Sequence, residues 1–344
     1  MEAALYDPAL GYYNTVRRKI GPRGDYNTSS NVHPVFGEVL AAVLGGLLVE
    51  AAPVQTGTVR LVEFGAGTGQ LARDVLEALR SERPSLFERL DYQIIETSEA
   101  MIALQKEQLA GFEGRVGWSG LSALARVSGV VFSNELVDAF PCHRVRWTSA
   151  GVQEEFVCCS GKGPGGPALA RHWGTPSTVR LAEYVQRLKQ DVLLAEGQVL
   201  EINLDAIEWL ARVSRALDSG FLVTIDYGDL VGALWAEDRF DGTLRGFARH
   251  SLVESLLERP GEQDITASVN FSALIEYGKE FGFEYVSYET ERAFMVRNGL
   301  VERLMKIEGL KERLAAKSFL VPGGAADNFR VLIQRRTPLN VVTP

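Results

Sequence analysis

The sequence predicts an α/β fold, a doubly wound parallel sheet with helices on both faces, and three observations predict it. An apolar run from Val59 to Phe64 leads into glycines at 65, 67 and 69. Leu71, Val75, Leu76 and Leu79 then recur at helical spacing, which makes the stretch a strand, a turn and a helix. Strand and helix signals alternate beyond it, the pattern of a parallel sheet with crossover helices. Finally, 344 residues with 46% hydrophobic and 23% charged content suit a soluble globular chain, long enough for one large domain with insertions or for two domains.

Taken in order, residues 1–32 form an arm of turn signals and tyrosines, including Tyr6, Tyr12, Tyr13 and Tyr26, expected to pack on the main domain. Ser29, Ser30 or Asn31 would cap the next helix, whose apolar stripe runs from Val35 through Val39 and Val43 to Leu48. Its Gly45-Gly46 pair suggests close approach of another backbone. Strands are expected at 59–64, 92–96, 116–118 and 130–132, with a helix through Met101, Leu104 and Leu109. Val145–Trp147 and Glu155–Val157 flank Gly151 like a hairpin, and Gly161–Pro167 reads as a loop. Helices follow near 179–193 and 206–217, then a fifth strand at Phe221–Gly228. Residues 229–270 lack periodicity and are expected to form a covering loop. A helix at 271–281, a strand from Gly282, helical residues near 297–317 and a strand at 329–333 complete the domain. That domain spans 33–336 with insertions near 142–180, 228–270 and 291–322, and 337–344 is a tail.

The glycine turn is built to meet a ligand with its backbone, since glycine tolerates positive φ and the following helix presents free N–H groups. The dinucleotide fingerprint is incomplete, because Gln70 stands where its third glycine should be. Glu63, at the end of the strand, would repel a pyrophosphate but suit an ammonium. With Gly65, Gly67 and Gly69 it resembles the first motif of the class I S-adenosylmethionine-dependent methyltransferases.

Ligands in open α/β sheets bind beyond the carboxyl ends of the strands. Glu96 ends the second strand and can accept the ribose hydroxyls of an adenosine, or simply be a solvated residue starting a loop. Trp118 ends the third, either bordering the adenine or serving as core. The fourth ends in Ser133, assigned to the cofactor, and Asn134, assigned with Glu135 and Asp138 to catalysis. Glu135 and Asp138 are expected on one helical first turn, either gripping a cationic acceptor or answering the helix dipole. Asp226, before Tyr227 at the end of strand five, is a further catalytic candidate or a polar strand-end residue.

Over nearly its whole length the chain resembles the MidA-like methyltransferases, relatives of the mitochondrial complex I assembly methyltransferase. The residues carrying the resemblance are Leu5–Pro8 with Gly11–Tyr13, Gly24–Ser29, Glu63–Gly69, Ser133–Ala139 and Ile225–Gly228. Gly242–Arg245, His250 and Asp264–Ala267 complete them. The resemblance implies a seven-stranded core, S-adenosylmethionine as cofactor, and Thr28 among the residues that bind it. For the mitochondrial relative it also implies ω-N dimethylation of an arginine in a respiratory-complex subunit. Family members carry a helical segment before the Leu-Tyr-x-Pro stretch, whereas this chain opens at Met1, so its start reads as truncated or misassigned. Asn270 stands where the family pattern has an aspartate.

The 36 basic and 44 acidic residues give a net charge of −8, which argues against general nucleic-acid binding. Three cysteines make neither a disulfide framework nor a zinc site, so no metal is expected; read as buried or half-buried free thiols, they suggest a reducing compartment, the cytoplasm. The most apolar helix contains Glu38 and falls short of the ~20 residues that span a bilayer. The leading reading is methylation of an arginine on a partner protein. A small-molecule O- or N-methyltransferase and a cofactor-binding assembly factor are the alternatives.

Overall fold

The computed structural model of the protein describes residues 1–15, 32–51, 57–120, 127–163, 166–236, 239–248 and 251–338. Thr28, the stretch 24–29, the proposed helix caps at 29–31 and His250 lie outside the described residues. The chain divides into two compact units. One comprises Met1–Arg17, Val137–Glu208 and Gly228–Leu274, the other Arg18–Leu136, Trp209–Tyr227 and Ile275–Pro344.

The second unit carries the main sheet. Its strands are β1 (Val59–Phe64), β2 (Leu90–Ile95), β3 (Val116–Ser119), β4 (Val127–Asn134), β9 (Leu217–Asp229), β14 (Phe283–Thr290) and β15 (Phe329–Arg336). Their order across the sheet is β14-β15-β9-β4-β1-β2-β3. The five strands from β9 to β3 pair parallel, whereas β15 runs antiparallel to both β9 and β14. These seven strands form the expected mostly parallel path, and one further short strand pairs with β9 off it. Strand order reverses between β1 and β4, the switch point at which such sheets bind ligands. Both faces are covered, since Leu61 and Val62, which point to opposite faces, are each fully buried.

The helices of this unit include α1 (Val35–Ala51), α2 (Gln70–Glu82) and α3 (Glu99–Gln108). A Cβ on Gly37 would sit 2.5 Å from Asp74 Cβ, and one on Gly45 would sit 2.8 Å from Arg83 Cδ. The glycine pair of α1 therefore does admit a neighbour, but Gly45 alone does so, and for a side chain following α2. Nothing lies within 4 Å of a Cβ built on Gly46.

In the first unit, β5 (His143–Thr148) and β6 (Gly151–Gly163) form the expected hairpin. The Gly161–Pro167 segment is not simply a loop, because β6 extends to Gly163 and pairs antiparallel with β7 (Gly166–Gly174). With β8 (Val199–Ile202) these strands make a four-stranded antiparallel sheet. Arg144 on β5 bridges Glu155 at 2.8 Å and Glu201 of β8 at 3.4 Å. Cys158 and Cys159 on β6 are exposed and Cys142 is half-buried, so the expectation of buried or half-buried thiols holds only for Cys142.

Residues 229–270 also differ from the expected covering loop. They contain β10 (Arg245–Ala248), β11 (Ser251–Leu252) and β12 (Asp264–Thr266), a three-stranded antiparallel sheet, and β13 (Val269–Asn270), which pairs with the last residues of β9. Residues 1–15 of the arm belong to the same unit. Tyr6 donates its hydroxyl to the Ala139 carbonyl at 3.0 Å, and Tyr13 donates to Asp264 Oδ1 at 2.7 Å.

Candidate active site

Three glycines shape the turn after β1. Gly65, Gly67 and Gly69 have φ of 65°, 53° and 82°, a region that side chains with a Cβ rarely adopt. Space is short as well: a Cβ on Gly65 would lie 2.8 Å from Leu136 Cδ1, and one on Gly69 3.3 Å from Gln105 Cα. Gly69 is the N-cap of α2, so the first amides of that helix open onto the turn.

Glu63 lies inside the sheet and accepts a hydrogen bond from the Tyr92 hydroxyl of β2 at 2.6 Å. Burial pushes its carboxyl up to about 7, against the pull of that hydrogen bond. The pairing with Tyr92 was not foreseen. Its sequence signal was available, since two neighbouring parallel strands each carry one polar group on a buried face.

Glu96, just past β2, is held by its own backbone and by α3. Its Oε1 accepts from the amides of Thr97 at 2.8 Å and Ser98 at 2.9 Å, while Oε2 accepts from Gln105 Nε2 at 3.1 Å. Trp118, half-buried on β3, donates its indole N–H to Gln105 Oε1 at 2.9 Å. Gln105 also donates to the Gly67 carbonyl at 2.9 Å. The glycine turn, Glu96 and Trp118 are thus joined by a residue absent from the sequence-derived set. Leu104, one of the apolar residues that mark this helix in the sequence, is 46% exposed, whereas Gln105 is 0% exposed. A polar residue four after Met101 was the available sign.

The end of β4 is different. Ser133 Oγ and Asn134 Oδ1 are buried and have no hydrogen-bond partner among the described residues. Asn134 Nδ2 donates to Glu135 Oε1 at 3.2 Å. Glu135 has φ of 52°, a strained value for a residue with a side chain. Its amide donates to the Ile225 carbonyl at 2.9 Å, and the Leu136 amide donates to Asp226 Oδ2 at 3.2 Å. Asp226 is fully buried and also accepts from the Tyr227 amide at 2.9 Å. Among the residues of this unit, Asp226 therefore braces the turn that holds Glu135.

The single helical turn expected to carry Glu135 and Asp138 does not exist. The left-handed backbone at Glu135 stands outside the short 3-10 helix Val137–Ala139, which begins only after it. Asp138 is buried in that helix and belongs to the first unit.

The model of a family described as "Putative S-adenosyl-L-methionine-dependent methyltransferase" matches residues 44–288. The chain belongs to this family. It is 26% identical over 328 residues to the mitochondrial protein arginine methyltransferase NDUFAF7 of Danio rerio, covering 88% of this chain and 73% of the relative. It is 24% identical over 335 residues to the NDUFAF7 homologue of Caenorhabditis elegans, covering 89% and 73%. In structure it is similar to a superfamily member from Burkholderia thailandensis crystallised with S-adenosyl-homocysteine. The TM-score is 0.86 at 29% identity, over 97% of this chain and 86% of the other.

This methyltransferase has residues that fit S-adenosylmethionine. The turn admits a ligand where a Cβ would crowd its neighbours, and two buried polar atoms at the end of β4 lack partners among the described residues. The expected cofactor is thus the family's cofactor. Among the described residues no cluster of His, Cys, Asp or Glu could hold a metal ion, and no helix is long and apolar enough to cross a membrane.

Proposed function

We propose that this methyltransferase modifies an arginine side chain of a partner protein. The observation that carries the reading is Glu135, an acid held in a strained left-handed conformation at the switch-point end of β4. The names of the relatives point the same way, since those from zebrafish and nematode are both protein arginine methyltransferases.

In this reading Gly65, Gly67 and Gly69 receive the cofactor, with Glu96 on the ribose, Trp118 beside the adenine and Ser133 completing the site. Glu63 answers the ammonium group from inside the sheet, and Thr28 is assigned to the cofactor by the family pattern alone. The cofactor, when bound, supplies an electrophilic methyl group on a sulfonium. The chain must then orient the acceptor for in-line attack and take away its proton. A guanidinium is far too weak an acid to give up that proton near neutral pH unless carboxylates hold and polarise it. Glu135 is assigned this role. Glu135 would accept the guanidinium proton that is released as the acceptor nitrogen takes up the methyl group. Asn134 orients Glu135 through its side-chain amide, and Asp226 braces the turn. We assign the protein to the cytoplasm, a reading supported by its free thiols.

Incubation with methyl-labelled cofactor and a cell lysate tests the assignment. Label is expected in protein, recovered as methylated arginine after acid hydrolysis. Label confined to small molecules would make this a small-molecule methyltransferase. Binding without transfer would leave an assembly factor.

A further inference from the structure

We propose that Gln105 is a positioning residue that locks the cofactor-facing carboxylate of Glu96, the Gly67 turn and the Trp118 ring into one arrangement. The inference rests on the placement of Glu96 at the cofactor ribose given above.

Gln105 is fully buried on α3 and is the only residue among those described to touch all three groups through its side-chain polar atoms. Its amide suits the task, because one end donates and the other accepts. The nitrogen reaches the Gly67 carbonyl at 2.9 Å and Glu96 Oε2 at 3.1 Å, whereas the oxygen takes the Trp118 indole N–H at 2.9 Å. No other side chain of similar size offers that division. Glutamate would keep the indole bond but face a carbonyl and a carboxylate with negative oxygen. Methionine would fill the volume and make none of the three bonds.

The consequence for binding comes through Glu96. A carboxylate has about four lone-pair sites. Three are directed at Thr97 N, Ser98 N and Gln105 Nε2, so the group is fixed in rotation with its remaining capacity on Oε2. A diol meets a fixed acceptor without a further ordering cost. Gln105 also contacts the glycine turn itself, since its Cα defines the space beside Gly69. One helix thus sets the spacing of three strand ends.

The test is calorimetric titration of S-adenosylhomocysteine and of its 2′-deoxy analogue into wild type, Gln105→Glu, Gln105→Met, Glu96→Ala and the Glu96→Ala/Gln105→Met double variant. Gln105→Glu should weaken S-adenosylhomocysteine roughly 10- to 100-fold, the range expected for loss of a charge-assisted hydrogen bond, and Gln105→Met less. The penalty for removing the 2′-hydroxyl should shrink in both, because the hydroxyl's acceptor is no longer held. In the Glu96→Ala background the effect of Gln105→Met should fall to within about twofold, as for two residues acting as one unit. A residue that merely fills the core would lower affinity without changing the 2′-hydroxyl penalty and would add to Glu96→Ala. That pattern, or wild-type affinity in both Gln105 variants while Glu96→Ala binds weakly, overturns the inference alone. Wild-type affinity in Glu96→Ala would instead overturn the placement of Glu96, and this inference with it. Should Gln105→Glu fail to fold, the Gln105→Met comparisons decide the matter.

Discussion

The two sides of the switch point use their polar atoms in opposite ways. Around β1, β2 and β3 the named groups are paired: Glu63 with Tyr92, Glu96 with two amides and Gln105, Trp118 with Gln105. At the end of β4 the backbone is strained at Glu135, and Ser133 Oγ and Asn134 Oδ1 are buried without partners among the described residues. A buried polar atom left unpaired costs about 1–3 kcal/mol. The first side is thus a finished scaffold. The second holds free energy that a ligand can recover.

The largest effect that could break this comparison lies in the finished side. Gly67→Val forces a branched side chain onto a φ of 53°. The turn must rearrange at a cost of about 1–3 kcal/mol, or roughly a 10- to 100-fold loss of S-adenosylhomocysteine affinity by calorimetry. Unaltered affinity would mean that the turn does not shape the site.

A smaller and opposite pattern is expected at Ser133. Ser133→Ala removes an unpaired buried hydroxyl, so the ligand-free protein should be as stable as wild type or more so in urea unfolding. S-adenosylhomocysteine should nevertheless bind several-fold more weakly, reflecting about 1 kcal/mol from a lost hydrogen bond. Equal affinity would show that the hydroxyl is an orphan of the core with no ligand to meet.

A third effect concerns pH. Burial raises the Glu63 carboxyl from 4.5 to about 7, so the folded state holds this proton more tightly than the unfolded chain. The stabilisation from that proton is fully present below about pH 4.5 and is lost as pH rises towards about 7. Glu63→Gln should remove this part of the slope while leaving an acceptor for Tyr92. Unfolding free energies at about pH 5 and about pH 8 check it; an unchanged slope in the variant would place the titration elsewhere.

How far the sequence could be read follows the range of the interactions. The turn after β1 was legible because three glycines at alternate positions have a local cause, and β1, β2 and β9 because long apolar runs announce buried strands. The second hairpin was not: its turn signals at Gly161–Pro167 are real, but pairing across them is a tertiary fact. Strands of two to four residues at β10, β11 and β12 are too short to show a period. Glu96 and Trp118 were singled out by counting to strand ends. Gln105 was hidden by the adjacent Leu104, and the left-handed turn at Glu135 by a spacing that reads equally well as helix.

Glu135→Gln is the most direct test, measured twice: S-adenosylhomocysteine affinity by calorimetry, and methyl transfer from labelled cofactor to the proposed arginine acceptor. The amide keeps the shape of the side chain and loses the proton acceptor, a change expected to slow transfer by about 100-fold or more. Cofactor affinity within about twofold of wild type, together with that loss, is the predicted result. Transfer at the wild-type rate would contradict it and leave Glu135 a strained turn residue with no part in the reaction.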